Sequence, residues 1–133
     1  MNICKINGIE YNVLITALSE NFTIMYSENT GRTLGSGARM TLDPLGTAYG
    51  HKVTIKRRNG HEAAFDALYR EVSKPRYNGV PVEMVHNQDS IAYDAYISSG
   101  ERAVKRIDAE TGKVYWDELS LNIVPMGAQV LPE

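Results

Sequence analysis

Cysteine is all but missing from this chain of 133 residues, where Cys4 stands alone. A lone thiol forms no internal disulfide and excludes zinc sites built from several thiolates of one chain. The expected compartment is reducing. An excess of one charge is missing too, since 14 Lys and Arg face 16 Asp and Glu for a formal charge of −2. That excludes nonspecific nucleic-acid binding by a basic overall surface and leaves only a local patch open. No apolar run approaches the roughly 20 residues that a membrane-spanning helix needs. Met1-Asn2-Ile3-Cys4-Lys5 leads into alternation where a secretory signal would carry a continuous apolar stretch. The expectation is a chain that starts mature, without a membrane anchor, so the Asn21-Phe22-Thr23 glycosylation triplet reads as chance.

The motifs of catalysis are absent as well. Gly31 to Gly37 is glycine-containing but lacks the Gly-Lys-Ser/Thr ending with which a P-loop holds phosphate and magnesium. No Rossmann fingerprint and no Gly-x-Ser-x-Gly elbow occurs, and Cys4 has no flanking base, so it reads as a small packing residue. His51, His61 and His86 lack paired metal-ligand spacing, and no ligand set follows from them. Adjacent strand residues point to opposite faces, so Asp117 and Glu118 share a site only if a bulge brings them together; Asp89 and Asp94 form no better pair. The expectations are no enzyme, no catalytic residues, no metal and no cofactor.

What is present is an ordinary globular composition, 43% apolar and 23% charged, in a length that suits one domain over residues 1–133. Period-two alternation dominates it. Ile3, Lys5 and Asn7, a turn at Gly8, then Tyr11, Val13 and Ile15 read as a hairpin; Asn21 to Ser27, with Phe22, Ile24 and Tyr26 on one face, reads as a third strand. Ala48 to Lys56 places Tyr49, His51, Val53 and Ile55 on one side. After Arg57-Arg58-Asn59-Gly60 a helix is expected over 61–73, with Asn59 as N-cap and Glu62 completing a capping box. Ala64, Phe65, Leu68, Tyr69 and Val72 form its apolar stripe, and Lys74-Pro75 ends it. Val80–His86, Ile91–Ile97, Arg102–Ile107 and Lys113–Pro125 read as further strands, with turns at Asn87-Gln88-Asp89 and Ser98-Ser99-Gly100 and a bulge between Trp116 and Leu119. The class is α+β and β-rich: a β-sandwich or split barrel with one packed α-helix.

Two features stand apart from that pattern. Charge is unevenly distributed along the chain: residues 1–50 carry −1, 51–77 carry +4 and 78–133 carry −5. Either these are solvated surface charges, or a basic and an acidic band meet across copies and set their register. The second feature is a long loop or arm at 28–47, with four glycines and Pro44 between Asn29 and Gly46. It also holds Leu34, Met40, Leu42 and Leu45, too many apolar groups for a solvated linker. The reading is an arm or extended hairpin that gains order by packing against something else. Eight tyrosines, including Tyr93 and Tyr96 on opposite faces and Tyr115 beside Trp116, leave base stacking as a competing use, but the basic residues cluster at 52–58 rather than among them.

Ile6-Asn7-Gly8-Ile9, the stretch Ser27-Glu28-Asn29-Thr30-Gly31-Arg32-Thr33 before the long loop, the single helix, and the closing Trp116-Asp117-Glu118-Leu119-Ser120-Leu121-Asn122-Ile123-Val124 resemble small tail proteins of phages and prophages. The order of elements is similar to the sandwich-plus-helix fold of tail-tube, distal-tail and baseplate-hub components. The resemblance implies a tail-tip or baseplate building block, with a tail-tube or tail-completion subunit as the alternative and a small nucleic-acid-binding or adaptor domain as the reading of another class. It implies a homo-oligomeric, hexameric ring around the channel, with tube, hub and tape-measure proteins as neighbours, DNA only as passing cargo, no membrane contact, and a place in the virion after assembly in the host cytoplasm. The oligomer interface it points to is Arg32, Leu34, Arg39, Met40, Leu42 and Leu45 on the arm.

Overall fold

Alternation of apolar and polar residues becomes a six-stranded antiparallel sheet in a computed structural model that describes residues 4–32 and 36–132. The strands are β1 (Cys4–Ile6), β2 (Leu14–Tyr26), β5 (Pro44–Lys56), β6 (Val80–His86), β7 (Asp89–Ile107) and β8 (Val114–Pro125), in the spatial order β1-β6-β7-β8-β5-β2. Two short strands, β3 (Gly31–Arg32) and β4 (Met40–Thr41), pair with each other, and one helix, α1 (Glu62–Val72), lies between β5 and β6 in the chain. The α+β, β-rich class follows directly.

The core fills the inner face of this sheet. Phe65, Leu68 and Val72 of α1 are buried against Cys4, Ile6, Val53, Ile55, Val80, Val82, Met84, Ala95, Leu119, Leu121 and Ile123. Burial of such side chains stabilises by about 1.5–3 kcal/mol each. It also removes Cys4 from chemistry, since desolvation pushes its thiol up to about 11. Arg102 fastens the helix to β7 and β8: its guanidinium lies 3.8 Å from the ring centres of both Tyr69 and Trp116, and 3.0 Å from the Asp66 carboxylate.

Several expected boundaries move, each for a local reason. The early segment is not a hairpin, because β1 pairs with β6 (Cys4 opposite Met84, Ile6 opposite Val82) and only an isolated bridge joins Ile6 to Ile9. Residues 14–26 are one strand; an extra residue, Thr16, bulges between Ile15 and Ala17 and bonds the Thr54 carbonyl, which switches the inward residues from odd to even numbers. Ser98-Ser99-Gly100 is likewise a bulge within the single strand β7, not a turn. Gly100 suits that place because a Cβ there would come within 2.9 Å of the Leu121 side chain. The expected bulge in β8 is present, with Glu118 opposite Ala103 and Trp116 opposite Val104, leaving Asp117 over. The Asn59 capping box does not form. The helix starts at Glu62, so Glu62 is its first residue rather than its third; His61 is the cap position and makes no side-chain cap bond.

Register also fixes what projects from the sheet. His51 lies opposite Ile123 and Lys56 opposite Glu118, so the β2–β5 hairpin overruns β8 at one end while the β7–β8 hairpin overruns β5 at the other. The four residues from Val114 to Asp117 carry the second hairpin roughly 13 Å past β5. Opposite-charge segments meet inside one copy: Lys56 faces Glu118, and Arg102 pairs with Asp66. The basic and acidic bands of the sequence therefore do not form two separate faces.

Candidate assembly interface

A strand of 13 residues such as β2 is roughly 43 Å long, whereas the 11 residues of α1 make about 16 Å. The helix cannot cover the whole strand. Its stripe covers the half of the sheet that contains Ile15, Leu18, Val53 and Ile55. Beyond it, β2 and β5 continue as an arm, with Phe22 opposite Tyr49, Ile24 opposite Thr47 and Tyr26 opposite Pro44.

The arm is closed by its own polar groups. The Ser27 amide donates to the Asp43 carbonyl (3.0 Å), the Ser27 hydroxyl donates to the Asp43 carboxylate, and the Asp43 amide donates to Thr30 Oγ1 (2.8 Å). β3 and β4 extend it, and Arg32 donates to the Ala38 carbonyl at 3.3 Å. On the free side of β5 the C-terminal segment acts as a strap: Thr47 exchanges backbone hydrogen bonds with Val130, and the Gln129 carboxamide pairs with both backbone groups of Tyr49 (2.9 and 3.1 Å). The outer edge of β2 pairs with no other strand among the described residues.

Backbone closure leaves the apolar side chains without cover. Phe22 is 66% exposed, Leu42 59% and Leu45 53%, and Ile24, Tyr26 and Met40 are also exposed; none belongs to the core cluster. Of the residues expected at an interface, Arg32, Arg39, Met40, Leu42 and Leu45 lie on this arm, and Leu34 falls outside the described residues. Phe22, Ile24 and Tyr26 were not among them. The signal that points to them is the length mismatch between strand and helix.

At the root of the arm the fold assembles a polar cluster that no spacing announced. His51 is fully buried. Its Nε2 lies 3.0 Å from the Val85 carbonyl, which only accepts, so Nε2 carries the proton; the same hydrogen faces Glu20 Oε2 at 3.2 Å. Its Nδ1 lies 2.6 Å from the Tyr93 hydroxyl oxygen. The Tyr93 phenol is shifted well above its ordinary range, first by burial and then by its neighbours Cys4 and Glu20. Glu20 Oε2 also accepts from His86 Nδ1 at 2.8 Å, and the His86 ring packs on Tyr49 with centres 4.6 Å apart. Glu20 sits on β2 and His86 on β6, with β7, β8 and β5 between them in the sheet. The sheet is thus curled until its two flanks touch. Among the described residues no trio of His, Cys, Asp and Glu is arranged to hold a metal ion, and no helix is long and apolar enough to cross a membrane.

No protein-family model and no curated protein matches this chain.

Proposed function

We propose that this chain is a structural component of a bacteriophage tail, at the tail tip or baseplate, which assembles as a ring of identical copies and uses the β2–β5 arm to grip its neighbours. The curled sheet with its packed helix is then a split barrel of the tail-tube type, and the place of action is the virion. The observation that carries this reading is the arm: six exposed apolar side chains on a hydrogen-bonded hairpin, none of which belongs to the core cluster. Covering four of them yields on the order of 5–10 kcal/mol before the cost of association, enough for specific assembly when several contacts repeat around a ring. A closed ring needs two different surfaces on each copy, and a hairpin projecting from one end supplies one of them.

The test shortens the arm without touching the core. Tyr26 lies opposite Pro44, so replacing residues 27–43 by Asn-Gly closes a two-residue hairpin. The expected result is a folded monomer with the wild-type thermal midpoint within a few degrees, alongside a wild type that sediments as a ring and shows one in electron micrographs. A wild type that stays monomeric at hundreds of micromolar, or a shortened variant that still forms the ring, overturns the reading.

A further inference from the structure

The arm leaves one end of the sheet, and the β7–β8 hairpin leaves the other. The second hairpin repeats the first in character. Val104, Ile107 and Val114 are exposed near its tip, Ile107 by 65%. Its flanks bring Lys105, Arg106 and Lys113 towards the C-terminal end of β5, where Lys56, opposite Glu118, and Arg58 add their charges, and none of these five cations makes an ion pair within 4 Å among the described residues. Three cations converge on one ring: Arg57, Arg106 and Lys113 lie 5.8, 4.2 and 5.0 Å from the centre of Tyr115. Among the described residues Glu62 is the sole carboxylate paired to any of the three, through Arg57, so the group is a basic patch that an anionic surface complements.

The arm carries the opposite order of charge. Its tip bears Arg32 and Arg39 and its flanks bear Glu28 and Asp43, with Asp89 at the same end of the sheet; none of these three acids makes an ion pair among the described residues. The tip of the β7–β8 hairpin bears Asp108 and Glu110, between cationic flanks. Positive tip and acidic flanks on one hairpin thus match acidic tip and positive flanks on the other, each around an apolar patch.

From this match we infer that the β7–β8 hairpin is the surface that receives the arm of a second copy, end on, with Met40 and Leu42 against Ile107 and Val114. The contact is heterologous and joins copies head to tail along the strand direction. It rests on the proposed role of the arm and adds the face that the arm meets. Complementary charge fixes which ends meet and the orientation of approach, and the apolar patches supply most of the affinity.

Two variants with one added cysteine each, Leu42→Cys and Ile107→Cys, test it; the native Cys4 is buried and stays out of the reaction. Mixed and mildly oxidised, they are expected to give the mixed disulfide at least tenfold over either homodimer. A dominant Leu42→Cys homodimer means arm meets arm and overturns the inference. In parallel, Ile107→Ser with Val114→Thr is expected to weaken assembly at least tenfold with an unchanged near-ultraviolet spectrum. Glu110→Arg is expected to weaken it three- to fivefold, with recovery when Arg32→Glu is added. If shortening the arm abolishes assembly while the Ile107 and Val114 changes leave it intact, the receiving surface is elsewhere and only this contact falls; a wild type that never assembles overturns the arm's role as well. Binding of an oligo-dT strand that Lys105→Glu, Arg106→Glu and Lys113→Glu together abolish would assign these cations to phosphate and also overturn the contact.

Discussion

The two halves of β5 alternate out of phase, with the small residues Gly46, Ala48 and Gly50 buried in one and His51, Val53 and Ile55 in the other. From His51 to Lys56 the strand lies between β2 and β8, and its inward residues His51, Val53 and Ile55 are all but fully buried. From Pro44 to Gly50 it runs between β2 and the C-terminal strap, and the neighbouring Phe22, Ile24 and Leu45 face water. Both halves are hydrogen-bonded on either side, the first by β8 and the second by the strap at Thr47 and Tyr49. What differs is a second layer: α1 and its stripe cover large apolar side chains in the first half, whereas in the second only the small residues Gly46, Ala48 and Gly50 are buried and the large apolar side chains stay exposed. Alternation therefore specifies a strand, while burial is decided by the reach of the element packed on it.

That contrast breaks most sharply on two phenylalanines. Phe65 is fully buried at the centre of the helix stripe, and Phe65→Ala is expected to cost about 3–5 kcal/mol in urea unfolding. Phe22 lies on the arm, and Phe22→Ala is expected to change monomer stability by less than about 0.5 kcal/mol while weakening self-association. Equal losses at the two positions would mean that the arm belongs to the folding unit of the core.

The boundary between the halves is the cluster around His51, so the next effect is expected there. His51→Leu preserves volume approximately but takes away the imidazole that partners the Tyr93 hydroxyl and the Val85 carbonyl in an enclosed place. The expected loss is about 2–4 kcal/mol. Glu20→Gln should cost less, about 1 kcal/mol, since Glu20 is partly solvated and a carboxamide oxygen still accepts from His86. If the leucine variant is as stable as the wild type, the cluster is not what holds the arm's root to the far flank of the sheet.

How much of this was legible beforehand depends on the range over which each feature is encoded. The helix, the strand Val80–His86 and the bulge before Leu119 follow from local periodicity, and the arm follows from glycines set among leucines and a methionine. The bulge at Ser98 looks like a turn and the one at Thr16 splits β2 into two expected strands, because one extra residue shifts the phase of alternation just as a turn does. Pairing of β1 with β6 joins residues some 80 positions apart, and nothing in the local pattern distinguishes it from a hairpin. The same holds for Glu20, His51 and His86, which are brought together only when the sheet curls. On the arm, Met40, Leu42 and Leu45 stood out because glycines surround them; Phe22 and Ile24 were hidden because they resemble core residues of an ordinary strand.

The smallest expected effect tests whether the strap, too, belongs to the arm's half. Gly46 has φ +150°, and a Cβ there would lie 2.6 Å from the Ala128 Cβ and 2.7 Å from the Val130 carbonyl oxygen. Neither neighbour is the loose end of a long side chain, so an added methyl displaces the strap. Gly46→Ala is expected to free residues 127–132, raising amide exchange at Thr47 and Val130 at least tenfold, while global stability falls by only about 1–2 kcal/mol. Exchange at Val53 and Ile55 should track the global value and shift far less, because those amides open only when the helix-covered half unfolds. If protection at Val53 falls as steeply as at Thr47, the two halves of β5 are a single cooperative unit, and the arm cannot be a detachable extension of a finished core.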